Sequence, residues 1–221
     1  MSRTPPSQNP SPARLRLEFG LMFVAAPVLI ALFFPPQSMF PALFAFTAAG
    51  LALLCATPGF RWRELGKGWR DWPWREAALF AAVSAAGAWL LVKMLQPDAA
   101  FDLLQGNPLL LAAVWLGYPV ASALPQELLF RVLFFRRYDA ILPDGLQAAL
   151  INAAVFSLAH LMYWSVVVSL LTFGGSLIFT YAYLRRGSFL YAVLLHALAG
   201  NILFTAGMGA YFFSGAVVRP F

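Results

Sequence analysis

The chain has 221 residues, of which 61% are hydrophobic and only 11% charged, with a formal net charge of +6 and a mean hydropathy of +0.74. Soluble domains carry about a quarter charged residues, so this composition excludes a soluble globular protein. The apolar runs approach the ~20 residues of a helical span and lack the short alternation of a β-barrel, so the predicted fold class is all-α: a polytopic transmembrane helix bundle of about seven spans.

In chain order, residues 1–16 read as a disordered cytoplasmic N-terminal tail, rich in Pro and Ser from Ser2 to Pro12. A single transmembrane domain follows over 17–213, with spans near 17–34, 39–57, 76–95, 108–135, 146–163, 165–184 and 188–213. Breaks fall at Pro35-Pro36, Pro58-Gly59, Gln96-Pro97 and Pro143-Asp144-Gly145. The segment Met162-Tyr163-Trp164-Ser165 is barely a turn, so a six-span count stays open. Span one exceeds a signal h-region and lacks a small-residue cleavage site, which predicts its retention. The lone Cys55 reads as inert packing, and residues 214–221 form a C-terminal tail. No internal repeat or pair of broken helices points to a secondary transporter.

The basic residues are distributed as a topology signal rather than a polyanion site. Arg3, Arg14 and Arg16 precede span one; Arg61, Arg63, Lys67, Arg70 and Arg75 fill the second connection; Arg136 and Arg137 follow span four; Arg185 and Arg186 follow span six. These 12 of the 15 Lys and Arg alternate to one side, which puts the N-terminus in the cytoplasm, with no nucleic-acid partner implied. Trp62, Trp69, Trp72 and Trp74 among them read as an interfacial segment. Thr172, Gly174, Gly175 and Ser176 give span six the small residues of a close helix contact.

Ionisable groups inside apolar spans are costly and point to function. Glu127 and Arg131 are four apart on span four and so share a face. The chain's two histidines, His160 and His196, lie on spans five and seven. An ion pair that only orients helices explains Glu127 and Arg131 taken alone. Two histidines and a mid-span carboxylate on three spans point instead to a site in the bundle core.

The segments Gln126-Glu127-Leu-Leu-Phe-Arg131, Phe156-Ser-Leu-Ala-His160 and His196-Ala-Leu-Ala-Gly200-Asn201, in this order over roughly residues 115–205, resemble the EExxxR, FxxxH and HxxxN motifs of the CAAX protease and bacteriocin-processing family. The resemblance implies a glutamic-type intramembrane protease without metal or other cofactor. Glutamate and His160 would activate water, His196 with an asparagine would stabilise the oxyanion, and Arg131 would hold the carboxylate. Two departures stand out. Gln126 occupies the first glutamate position and takes no proton from water, so either Glu127 serves as base, re-aimed by a kink at Pro125, or hydrolysis is lost; we favour the former. Gly200 occupies the asparagine position, and Asn201 reaches the site only if span seven carries a π-bulge.

The leading expectation is an intramembrane endopeptidase of the bacterial inner membrane, acting on a membrane-associated protein or a C-terminal or leader segment within the lipid bilayer. The competing reading is an inactive, peptide-binding immunity or scaffolding protein. A zinc protease is a third, without a His-Glu-x-x-His segment to support it. The depths of Glu127 and His196 along their spans suggest access from the cytoplasmic half.

Overall fold

The computed structural model describes residues 10–221, and among these it is helical with no strand. Among the described residues, seven helices are long and apolar enough to cross a membrane: Pro12–Phe33, Pro36–Cys55, Trp74–Leu95, Pro108–Arg137, Leu146–Tyr163, Val166–Leu184 and Phe189–Ala206. The first begins earlier than expected. Ser11 accepts the Arg14 N–H and Pro12 opens the helix, a paired N-cap and N1 signal, so residues 12–16 are helical rather than tail. Most of the expected tail, residues 1–9, lies outside the described residues.

The turn between spans five and six is real. The α-helix ends at His160, a single 3₁₀ turn covers Leu161–Tyr163, and Trp164 turns left-handed at φ 50. Ser165 then caps span six by accepting the Val168 N–H. Span seven stops at Ala206 rather than at 213, because Gly207 adopts φ 109 and approaches the preceding connection so closely that a Cβ there would sit 1.9 Å from the Ala99 carbonyl oxygen. Only glycine fits both demands. A short helix, Gly209–Phe212, completes the far end.

Span seven is the centre of the bundle. Half of its apolar window is buried within the protein, against 11% for spans two and three, and it packs along spans three, four and six. The large apolar side chains left outside, such as Phe33, Leu109 and Leu116, suit acyl chains. Cys55 is among the outward residues, not packed as expected.

The end of the bundle that carries the basic connections is filled and tied. Phe23 meets Phe134 and Tyr138 at ring-centroid distances of 5.5 and 5.7 Å. Arg137 grips both oxygens of Glu18 at 2.7 and 3.0 Å, joining span four to span one. Arg136 pairs with Glu64 and Arg186 with Glu76.

Span four is continuous but irregular. Its α-helix is interrupted by π segments at Pro119–Ala123 and Leu128–Leu133. Pro119 and Pro125 each remove an i→i−4 hydrogen bond, and the chain widens its turns beside them. An inserted π residue shifts everything beyond it by about 100° around the axis, so Gln126, Glu127 and Arg131 do not sit where a regular helix puts them.

Candidate functional site

Glu127 is completely buried and held from two sides. His196 Nδ1 lies 2.9 Å from its Oε1, and Arg131 Nε lies 3.0 Å from its Oε2, in an ion pair bent away from hydrogen-bond geometry. Arg131 is also fully buried. Its Nη1 donates to Asn152 Oδ1, and its guanidinium lies 5.1 Å from the Phe156 ring centre and 5.8 Å from that of Phe179. A buried pair is tolerable only when the remaining polar atoms are also satisfied.

Asn152 meets much of that need. It donates to the Phe130 carbonyl inside the π segment at 2.6 Å, and its Oδ1 accepts from Ser176 at 3.2 Å and Thr180 at 3.0 Å as well as from Arg131. Spans four, five and six are thereby joined around one charge. The sequence reading passed over this residue, although an amide in the middle of span five was a visible signal.

His196 stacks on Phe179, centroids 4.7 Å apart and 11° from parallel. Its Nδ1 faces a carboxylate, so that nitrogen carries the proton and Nε2 is left with a lone pair; the tautomer is assigned from these partners. His160 closes span five and is half-buried. Its Nδ1 lies 2.7 Å from the Phe156 carbonyl, which fixes the same tautomer. Both histidine rings pack on Phe156, at centroid distances of 4.7 Å for His160 and 5.7 Å for His196. Each offers Nε2 as an acceptor.

The two histidines line a cavity of about 610 Å³ together with Tyr118, Ser122, Gln126 and Gly200. Glu127 and Asn201 are not among its walls. Gln126 donates to Ser122 Oγ at 2.9 Å while its own carbonyl oxygen, although buried, lacks a partner. Span seven is regular α-helix through 189–206, so Asn201 turns away and donates to the Trp115 carbonyl at 3.3 Å.

The space at Gly200 is taken by Tyr118. A Cβ on Gly200 would meet the tyrosine ring at 2.1 Å and its hydroxyl oxygen at 2.7 Å. Tyr118 therefore stands where a side chain at 200 would project, 6.0 Å from the His196 ring. It too escaped the sequence reading; its signal was the glycine that stands where the motif has asparagine.

No group of three or more His, Cys, Asp or Glu is gathered among the described residues, so the donor set falls short of a three-residue zinc site. Chemically, the arrangement offers two imidazole acceptors, one backed by an ion-paired carboxylate, together with a hydroxyl and an amide, all facing an otherwise apolar space.

Residues 107–202 match the family described as Type II CAAX prenyl endopeptidase Rce1-like. The match takes in Glu127, Arg131, Asn152, His160, His196 and Asn201. No curated protein and no solved structure matches the chain.

Proposed function

Since the chain carries a domain of the Rce1-like type II CAAX prenyl endopeptidase family over residues 107–202, we propose that it is an intramembrane endopeptidase that hydrolyses a peptide bond of a membrane-anchored protein with water activated by His196. The observation that carries this reading is the contact of His196 Nδ1 with the buried Glu127 carboxylate at 2.9 Å. A carboxylate that fixes the tautomer and supports the imidazolium makes Nε2 a competent general base.

In this mechanism a water in the cavity passes its proton to His196 Nε2 as its oxygen attacks the scissile carbonyl. Glu127, neutralised by Arg131 at rest, stabilises the imidazolium that forms. His160 Nε2 accepts the second hydrogen of the water and orients it. The Tyr118 hydroxyl and the Gln126 amide donate to the oxyanion, in an environment where such donors act with little screening. The proton then moves from His196 to the leaving amine, with no covalent intermediate. Relative to the roles implied by the motif resemblance, the two histidines exchange tasks and Glu127 acts through His196.

One observation favours the competing reading of a binder that does not cut: the unpartnered Gln126 oxygen at the cavity wall, an acceptor suited to a peptide N–H but unable to take a proton. The two separate in proteoliposomes with a reporter protein joined to a single apolar anchor. Wild type is expected to cleave it, and Glu127→Gln and His196→Ala to lose at least 10²-fold in rate, within the range of a general base. Cleavage that survives both His196→Ala and His160→Ala would refute the mechanism. Reporter retention without cleavage would favour the binder.

A further inference from the structure

The cavity is offset along the bundle: it reaches the connections at one end and stops short of those at the other. Its walls come from the start of span two (Met39, Phe40), span four between Leu110 and Gln126, the end of span five (His160, Tyr163), span six between Leu171 and Phe179, and span seven from His196 onward with the helix beyond it. None of the basic connections contributes a wall. Asp102 and Leu103, in the connection between spans three and four, also line it, and that connection contains no Lys or Arg. On the basic side, the ion pair of Glu127 and Arg131 and the aromatic packing beneath it close the bundle.

Basic connections face the cytoplasm. From that orientation and the one-sided cavity we propose that the site opens to the extracytoplasmic face of the membrane, and that its substrate is the apolar anchor segment of a membrane protein whose soluble part lies outside. This rests on the protease reading for the cutting step, and it reverses the cytoplasmic access inferred from the depths of Glu127 and His196. Those depths put Glu127 and His196 nearer the basic ends of their spans, but the cavity that reaches His196 is lined as far as the outer connection and by none of the basic ones.

The chemistry of the walls fits that occupant. They contain no Lys or Arg, and the one carboxylate, Asp102, stands at the outer connection. An anionic headgroup or phosphorylated segment would find no cation there. A neutral apolar segment finds Met39, Phe40, Leu110, Leu203, Phe204 and Phe213, with the two histidines at the inner end. The bond cut would lie beside His196 at the inner end of the cavity, below the substrate's exit to the outer surface. A lipid-modified tail held at the cytoplasmic leaflet would have to cross the closed half to reach His196.

Two measurements on the full-length protein in intact cells separate this proposal from the protease reading. The first uses the chain's lone cysteine. Cys55 ends span two on the basic side and is exposed; the opposite end is sampled by Ala210→Cys in a Cys55→Ser background, at an exposed cavity-wall position with no role in the chemistry. A membrane-impermeant charged maleimide is expected to label Ala210→Cys in intact spheroplasts and Cys55 only after permeabilisation. The reverse pattern would overturn the access side.

The second co-expresses two reporters that share one apolar anchor, with the soluble part outside in one and inside in the other. Wild type is expected to cleave the outer reporter at least ten times faster than the inner, and His196→Ala neither. Preferential cleavage of the inner reporter would overturn the substrate class. Cleavage of neither by wild type would count against the protease reading, while the labelling result still decides the access side.

Discussion

The two ends of the bundle are built for opposite purposes from the same helices. At the basic end, Phe23, Phe134 and Tyr138 interlock, and Glu18 takes Arg14 and Arg137 together. At the other end, spans two, four, five, six and seven surround about 610 Å³ of space lined by His160, His196, Tyr118 and Gln126. A bilayer supplies no hydrophobic drive to bring helices together, so the filled end must hold the helices for the hollow one. The polar cluster of Glu127, Arg131 and Asn152 sits at the border, and the contrast predicts that substitutions there damage folding, those above it damage chemistry, and those at the surface of the basic end do little.

The largest effect is expected from Arg131→Ala. It leaves Glu127 buried without its cation and removes a donor from Asn152; breaking a buried pair in this way costs about 3–5 kcal/mol, to be read as a fall in thermal midpoint in detergent and reduced accumulation in the membrane. Arg131→Lys is expected to recover little of it, because an ammonium does not serve Glu127 and Asn152 from two nitrogens of one plane. Tyr118→Phe should act on the other side of the border, lowering kcat by about 10²–10³-fold, the loss typical of one oxyanion donor, with KM and thermal midpoint unchanged. A fall in stability with unchanged kcat would return Tyr118 to packing.

Asn152→Ala comes next. It strips partners from Arg131, Ser176 and Thr180, at about 1–3 kcal/mol for buried groups left unsatisfied, and activity is expected to follow the folded fraction rather than fall further. The smallest effect is expected from Arg14→Ala. Arg14 is 64% exposed in its pair with Glu18, and exposed pairs contribute about 0–1 kcal/mol, so neither melting nor cleavage should change beyond that. A large loss there would break the division between the two ends.

The residues that the sequence made legible are those whose signal is one-dimensional. Hydropathy and proline positions mark the seven spans, and the spacing of Glu127, Arg131, His160 and His196 marks the site region. What escaped depends on rotation about a helix axis. Regular geometry turns each residue by about 100°, but the π segments on both sides of Leu124–Glu127 reset that count, so the partner of Glu127 is His196 rather than His160. Pro125 gave the hint of irregularity without its angle. Span seven was expected to need a π-bulge for Asn201 to join the cavity; it is regular, and Tyr118 enters the space above Gly200 instead. Asn152 was hidden for another reason: its importance comes from partners on two other spans, Phe130 and Arg131 on span four and Ser176 and Thr180 on span six, and nothing in its own segment announces that convergence.

The location of Glu127 and Arg131 on one helix has a consequence for biosynthesis. Four residues apart, they can enter the bilayer as a pre-formed neutral pair, so span four carries its charge into lipid without waiting for a neighbour. His196 lies on the last of the seven spans to leave the ribosome, and until that span docks, the carboxylate faces no imidazole and the cavity lacks a wall. Under the proposed mechanism, the order of synthesis thus withholds the base until the last span docks, while the chain's own unpacked segments are most open to cleavage.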